Sequence, residues 1–168
     1  MVIRHGFCWL ILLSLLCGKT TASVPGAYRL YAAKYQVPSD VLFAVCLQES
    51  ARDYQGRLLP WPWTLNVAGQ GHYYSTRQEA ARELNDIITN GSCRVDIGIC
   101  QVHWCSHLHN FDRPDALLDP YTNIDYAARL LRDEYQRSSG DLQERWWEAV
   151  GRYHSPGTPH LAETYRRR

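Results

Sequence analysis

Apolar residues recur at intervals of three and four along much of the chain, a spacing that places them on one face of a helix. It predicts helices over about 26–36, 39–50, 120–137 and 142–153. Thr76 and Glu79 form a capping-box pattern, and the Asn-Gly pair at 90–91 is typical of a helix end, so another helix is predicted between them. A short last helix is predicted over 159–165. Helices therefore dominate the chain.

Two short segments alternate between apolar and polar residues, which is the spacing of a strand. The first is the aromatic run Trp-Pro-Trp-Thr-Leu-Asn-Val at 61–67, which a glycine-containing turn at 68–71 directs towards a second strand at 72–74. The other is Val-Asp-Ile-Gly-Ile at 95–99. With 168 residues the chain is long enough for one domain with its own core. The predicted fold class is therefore mainly α, an α+β domain with a small β-hairpin element.

The N-terminus has the pattern of an export signal. Arg4 precedes an apolar run at 7–16, which is too short to span a bilayer, and small residues suited to cleavage follow at 20–23. We therefore predict a signal peptide over residues 1–23 and a mature domain over 24–168. A retained N-terminal anchor is the alternative. Removing the signal takes away Arg4 and Lys19 but no acid, so the mature chain is close to neutral.

Export changes the meaning of the cysteines. Of the six, Cys8 and Cys17 fall within the predicted signal. The mature chain keeps an even set of four: Cys46, Cys93, Cys100 and Cys105. In an oxidising compartment such a set predicts two disulfides, and the sequence alone leaves three pairings open.

Charge and aromatic content narrow the function classes. The formal net charge of +1 gives no electrostatic argument for a nucleic-acid partner. The six Trp and eleven Tyr residues suit either a carbohydrate groove or ordinary packing.

Glu49 is the leading candidate for chemistry. Leu42, Val45 and Cys46 precede it at helical intervals, so its carboxyl group is predicted on the apolar face of the second helix. Loss of water disfavours the charged form of a carboxyl group, and a neutral carboxylic acid can serve as a general acid. The alternative is that Glu49 is simply the first polar residue after a core helix.

Four segments together resemble a known family. They are Glu49-Ser50 at the end of an apolar helix, the aromatic run 61–67, the segment Gly-Ile-Cys-Gln at 98–101 and the segment Gly-Arg-Tyr-His-Ser at 151–155. Their order and spacing resemble the lytic transglycosylases of the soluble type, which are related in fold to goose-type lysozyme. The aromatic run and the last segment look like the subgroup associated with conjugation, type IV secretion or pilus systems. The resemblance covers about 37–155.

Two positions depart from the pattern of this family. Cys100 stands where the family has Met, and His154 stands where it has Asn. The role of that Asn is not transferred to His154. Gln101 and Tyr153 match the family pattern.

The resemblance implies a lysozyme-like domain that cleaves the β-1,4 bond between N-acetylmuramic acid and N-acetylglucosamine in peptidoglycan. Glu49 would act first as acid and then as base, leaving a 1,6-anhydro-muramic product. Ser50, Asn66, Gln101 and Tyr153 would bind substrate, with Tyr153 also hydrogen-bonded near Glu49. Asp96 is interpreted as structural and not as a second catalytic acid, and no cofactor is expected.

The resemblance also implies a cysteine pairing and a cellular context. If the family geometry holds, Cys46–Cys100 would join the helix of Glu49 to the segment of Gln101, and Cys93–Cys105 would close the intervening loop. The expected partners are glycan strands and components of a secretion or conjugation apparatus. The expected location is the periplasm of a Gram-negative bacterium.

Three other functions stay open at this point. One is a lysozyme-type muramidase, in which water attacks the sugar. Another is a non-catalytic peptidoglycan-binding assembly protein. The third is a zinc-binding structural protein, since Cys and His are dense over 100–109. Their spacing matches no standard zinc pattern, and export favours oxidised cysteines, so no metal site is predicted.

Overall fold

A computed structural model describes residues 23–155 and 157–167. The predicted signal peptide therefore lies outside the described residues, apart from Ser23. The elements, in chain order, are α1 (Gly26–Tyr35), α2 (Ser39–Ser50), β1 (Ala51–Tyr54), β2 (Arg57–Pro60), β3 (Thr64–Val67), β4 (Gln70–Tyr73), α3 (Arg77–Thr89), β5 (Val95–Ile97), β6 (Val102–His103), α4 (Trp104–His107), α5 (Pro120–Arg137), α6 (Leu142–His154) and α7 (Pro159–Arg166). Two short 3-10 turns, Leu108–Asn110 and Pro114–Leu118, precede α5. The predicted α+β, mainly helical class is confirmed.

Local sequence signals fix the starts of three helices. Thr76 and Glu79 form the predicted capping box at α3. Asp119 accepts a hydrogen bond from the backbone of Thr122 at the start of α5, where Pro120 supplies a favourable first residue. Asp141 and Glu144 form a second capping box at α6. These signals act within a few residues. The Thr76–Glu79 box was recognised in the sequence, whereas α6 was predicted from its apolar spacing alone.

The strands form two small antiparallel sheets. One contains β1 and β2, and the other has the order β4-β3-β5-β6. The predicted hairpin is the pair β3–β4, with Asn66 opposite Gly71. The β1–β2 hairpin was not predicted, because its residues do not alternate between apolar and polar. Its turn is Gln55-Gly56, two residues with positive φ of the kind that a tight hairpin needs.

The core consists of two apolar clusters. One lies among the helices and is built from α1, α2 and α5, with Leu42, Val45 and Leu131 among its buried members. The other lies under the four-stranded sheet and includes Leu65 and Ile97. Helix α2 ends between the helical cluster and the strands that follow it. No helix in the described part of the chain is long and apolar enough to cross a bilayer.

Candidate active site

A polar pocket of about 360 Å³ lies between the end of α2, the four-stranded sheet and the end of α6. It is lined by Glu49, Asn66, Asp96, Gln101, Val102, His103, Ser106, Leu130, Tyr153 and His154. Four of the five residues that the sequence proposed for catalysis or substrate binding therefore meet in one place, although they are up to 104 positions apart along the printed sequence. The fifth, Ser50, lies beneath this pocket.

Glu49 lies where the helical pattern predicts. Leu42, Val45 and Cys46 on the same face are at most 2% exposed, and the side chain of Glu49 itself is 12% exposed. His154 Nδ1 lies 3.3 Å from Glu49 Oε1, within hydrogen-bonding distance. A neutral His carries one donor and one acceptor nitrogen. The imidazole can therefore donate a hydrogen bond to the ionised carboxylate of Glu49 or accept one from its protonated carboxylic acid.

Ser50 does not have the position expected of a substrate-binding residue. Its side chain is fully buried and donates a hydrogen bond to the carbonyl oxygen of Ile99, at 2.6 Å. Its Oγ also accepts a hydrogen bond from the backbone N–H of Trp61, at 3.1 Å. Ser50 therefore ties the end of α2 to the 99–101 segment and to the aromatic run, and this holds Glu49 in place without contact with the pocket.

Gln101 is positioned by an unusual backbone. It is one of four non-glycine residues with positive φ in the described chain, at 52°, and its side chain amide donates to the carbonyl oxygens of Gly98 and Thr64 at 2.7 and 3.2 Å. Both amide hydrogens are therefore used within the protein. The side-chain oxygen remains as the group that Gln101 can offer to a ligand.

Asn123 holds the same segment from below. It is fully buried, donates to the carbonyl oxygens of Ile97 and Leu117, and accepts a hydrogen bond from the backbone N–H of Cys100. Gly98 has a φ of 84° and passes so close to Asn123 that a Cβ would clash with its amide. The sequence analysis missed this buried polar side chain, because an Asn in an amphipathic helix gives no signal of its role.

Tyr153 holds the segment that carries Gln101. Its hydroxyl donates a hydrogen bond of 2.7 Å to the carbonyl oxygen of Cys100. Burial, followed by the nearby charges of Glu49 and Asp96, raises the pKa of the Tyr153 hydroxyl well above its usual value. Tyr153 is therefore a neutral donor that fixes the wall of the pocket. The sequence predicted a hydrogen bond near Glu49, and the bond is made to Cys100, the disulfide partner of Cys46 on the helix of Glu49.

Three polar side chains form a row across the sheet. Asn66 on β3 is in register with Asp96 on β5, which is in register with His103 on β6. Residues opposite one another on adjacent strands point to the same face, so the three side chains share the face that lines the pocket. Leu65 and Ile97 alternate with the first two and are buried on the other face.

Within this row Asp96 is tightly held. Its Oδ1 lies 2.7 Å from His103 Nδ1. Burial raises the pKa of the Asp96 carboxyl, the hydrogen bond and charge of His103 oppose this rise, and the negative charge of Glu49 adds to it. Glu49 and Asp96 line the same small pocket.

The pocket is braced by a disulfide. Cys46 is bonded to Cys100 and Cys93 to Cys105, the pairing that the resemblance implied. Cys46 lies one turn before Glu49, and Cys100 immediately precedes Gln101. The first bond therefore joins the helix of the acid directly to the opposite wall.

Sequence reasoning missed three lining residues or their roles. His154 was left without a role, His103 was considered only among metal ligands, and Asp96 was interpreted as structural. His103 could have been placed beside Asp96 only if the pairing of β5 with β6 were known, and β6 is two residues long. A signal for His154 was its position directly after Tyr153 at the end of α6.

A larger groove of about 1240 Å³ lies between α2 and α6 and is mainly apolar, with Val41, Ala44 and Trp146 among its lining residues. The acids that border it, such as Asp40 and Asp141, are exposed and stay hydrated. It therefore lacks a shielded acid, and the smaller pocket is the better site for proton transfer.

Metal binding finds no support in the geometry of residues 23–155 and 157–167. No group of three His, Cys, Asp or Glu side chains there is arranged to hold an ion. Both cysteines of the 100–109 segment are oxidised, so neither can supply a thiolate.

Comparisons of the chain with models of protein families, with curated proteins and with solved structures find no match. Function is therefore inferred from the pocket itself.

Proposed function

We propose that this protein is a lytic transglycosylase that cleaves the β-1,4 bond between N-acetylmuramic acid and N-acetylglucosamine in peptidoglycan. The observation that carries the proposal is the shielded carboxyl of Glu49, which faces a polar pocket with side-chain amides on its walls. Sugars offer many hydroxyl and acetamido groups, and amide side chains both donate to and accept from such groups. The resemblance of four segments to soluble-type lytic transglycosylases points in the same direction.

The proposed reaction has two steps. In the first, protonated Glu49 gives its proton to the glycosidic oxygen, the bond from that oxygen to C1 of the muramic residue breaks, and the acetamido oxygen of the same residue bonds to C1. In the second, the C6 hydroxyl oxygen attacks C1 and displaces the acetamido oxygen, while Glu49 takes the hydroxyl proton. The products are a free 4-hydroxyl and a 1,6-anhydro ring. This scheme belongs to the substrate-assisted exceptions to the two-carboxylate mechanism.

His154 supports both steps in this scheme. Its Nδ1 lies beside Glu49 Oε1, so it can hold the carboxyl group in one orientation while the proton leaves and returns. Ser50, Tyr153 and the Cys46–Cys100 bond keep the surrounding backbone fixed. Such pre-organisation matters because catalysis requires the acid within hydrogen-bonding distance of the oxygen it protonates.

The test is digestion of purified peptidoglycan, with mass spectrometry of the released fragments. We expect the unaltered protein to release anhydro-muropeptides, and Glu49→Gln to be at least about 100-fold slower, the usual contribution of a general acid. Glu83→Gln, an exposed acid on α3, is the matched control and should keep full activity. Undiminished release by Glu49→Gln would refute the proposal.

The same experiment separates the alternatives. A lysozyme-type muramidase would release fragments heavier by one water, with reducing ends in place of anhydro rings. One observation favours the muramidase: Asp96 is a second carboxyl group in the pocket, and such a group can activate a water molecule. A non-catalytic peptidoglycan-binding protein would release nothing and would give no clearing in a zymogram.

We further propose that the protein is exported to the periplasm and opens the wall locally for a conjugation, type IV secretion or pilus apparatus. The two disulfides are typical of an oxidising compartment, the leader pattern predicts export, and the resemblance suggests the apparatus. Cell fractionation followed by N-terminal sequencing tests the first part. We expect a mature periplasmic form beginning after residue 22 or 23, and a cytoplasmic form with free thiols would contradict it.

A further inference from the structure

The row formed by Asn66, Asp96 and His103 is not used by the two proton transfers of Glu49. All three side chains line the pocket, and the two nearest the middle of the sheet present acceptor atoms. Asn66 Oδ1 is buried and has no hydrogen-bond partner among the described residues. In Asp96, Oδ1 is bonded to His103, and the structure gives Oδ2 no partner in the described chain. The pocket therefore holds two adjacent acceptors that a ligand donor would satisfy.

A buried acceptor without a partner is unusual in native proteins, where most buried polar atoms are hydrogen-bonded. The hydrogen-bond donor of the substrate nearest to the cleaved bond is the N–H of the muramic N-acetyl group. This group is attached to C2, the carbon next to C1. Glu49 must reach the oxygen on C1, and it faces the same pocket as Asn66 and Asp96. The N–H is therefore the substrate group whose place in the reaction best fits this pair of acceptors.

We propose that Asn66 and Asp96 bind the N–H of the N-acetyl group, and that the negative charge of Asp96 stabilises this N–H as the acetamido oxygen closes onto C1. The inference rests on the proposed function and names the part of the substrate that this wall of the pocket recognises. During ring closure the acetamido nitrogen gains positive charge, so its interaction with a carboxylate strengthens between the ground state and the transition state. Only an interaction that strengthens in this way accelerates the reaction.

Asn66 and Asp96 then contribute to different steps, one to substrate binding and the other to the reaction rate. Asn66 is neutral and binds the N–H about equally well before and during the reaction, so it contributes to substrate affinity. Asp96 acts in its ionised form and contributes chiefly to the rate. His103 is a positioning residue, because it acts through its hydrogen bond to Asp96 Oδ1 and leaves Oδ2 available to the ligand.

The test compares two probes bound by the purified protein. One is the thiazoline derived from N-acetylglucosamine, whose ring is closed onto C1 and whose N-protonated form mimics the bicyclic intermediate, and the other is the open N-acetylglucosamine oligomer. We expect Asp96→Asn to weaken binding of the thiazoline by roughly 10- to 100-fold, the range for a hydrogen bond to a charged group, and binding of the oligomer by less than about threefold. Asp86→Asn, at an exposed position on α3, is the matched control and should bind both probes as the unaltered protein does.

Kinetics on peptidoglycan give the second readout. Asp96→Asn should lower kcat with little change in KM, whereas Asn66→Ala should mainly raise KM. His103→Ala should lower kcat, and His103→Asn, which keeps an N–H donor near the place of Nδ1, should recover most of it. Circular dichroism and the unfolding midpoint of each variant identify any that fail to fold, and the conservative Asp96→Asn and His103→Asn changes keep the test usable in that case.

Two results would overturn the inference while leaving the proposed function intact. The first is an Asp96→Asn variant that binds the thiazoline as tightly as the unaltered protein. The second is an equal loss of affinity for both probes. A change of product in Asp96→Asn from reducing ends to anhydro rings would instead overturn both, because it means that the unaltered protein releases reducing ends and that Asp96 activates water. The proposed function fails separately, when the unaltered protein releases no anhydro-muropeptides.

Discussion

The two disulfides should differ in their contribution to stability, and the structure allows the difference to be calculated. Cys46–Cys100 closes a segment with a sequence separation of 54, for which the chain-entropy relation gives about 4 kcal/mol at 25 °C. Cys93–Cys105 closes a separation of 12, for which it gives about 3 kcal/mol. Both sulfur atoms of the first pair are also fully buried, and replacing them with Ala leaves unfilled space that adds to the loss.

The variants are Cys46→Ala/Cys100→Ala and Cys93→Ala/Cys105→Ala, each a control for the other because each retains one disulfide and no free thiol. Urea unfolding followed by far-UV circular dichroism gives the free energy of unfolding of both. We expect the first variant to lose about 4 kcal/mol or more and the second about 3 kcal/mol. A loss in the second variant equal to or larger than that in the first would refute the reasoning.

The activity of the same variants tests how the pocket is held. Tyr153, Ser50 and Asn123 bond the 99–101 segment independently of the disulfide. Under conditions where the first variant stays folded, we therefore expect it to retain measurable release of muropeptides, with a lower kcat because the wall opposite Glu49 is less rigid. Complete loss of activity in a folded variant would show that these hydrogen bonds do not suffice.

Three further predictions follow from single contacts. Gly98→Ala should destabilise the protein by about 3 kcal/mol or more, because the residue has positive φ and a Cβ there would clash with the carbonyl oxygen of Leu117. Urea unfolding measures the change, and a midpoint equal to that of the unaltered protein would contradict the prediction. Tyr153→Phe should lower the free energy of unfolding by about 1–2 kcal/mol, since it leaves the carbonyl of Cys100 without its donor. Thermal unfolding measures the change, and a variant as stable as the parent would show that this hydrogen bond contributes nothing. Asp96→Asn should be at least as stable as the parent at neutral pH. Burial raises the pKa of the Asp96 carboxyl in the folded state, so its ionised form lowers the stability of the parent. This loss of stability is complete above the raised pKa and disappears as the pH falls below the ordinary value of 3.8. Urea midpoints at neutral and acidic pH check the sign, and a variant destabilised more at neutral than at acidic pH would contradict it.

The helices were predictable because their signals are local. Capping boxes at Thr76 and Asp141 and the Asp119-Pro120 start act within one turn, and amphipathic spacing shows which face packs inward. The β1–β2 hairpin and the two-residue β6 were not predictable in this way. Their residues lack alternation, and they are strands because a turn or a neighbouring strand holds them there.

The site shows the same division. Glu49 was placed correctly by periodicity alone, since three buried residues on its face determine its direction. Ser50 and Tyr153 were assigned to substrate, yet they bond to the backbone at Ile99 and Cys100, segments about 50 positions away. No local pattern reports which distant carbonyl a hydroxyl will meet.

By itself the sequence determined the helices, the mainly helical α+β class, the shielded position of Glu49 and an even set of four cysteines over 24–168. Only the tertiary structure decided which side chains face that acid. The row of Asn66, Asp96 and His103 exists because β3, β5 and β6 pair in one register, and a shift by one residue would turn these side chains into the core. His154 reaches Glu49 because α6 ends beside α2. Helical periodicity acts over a few residues and can be recognised in the sequence. Strand register and helix packing are set by contacts between segments that are far apart in the sequence.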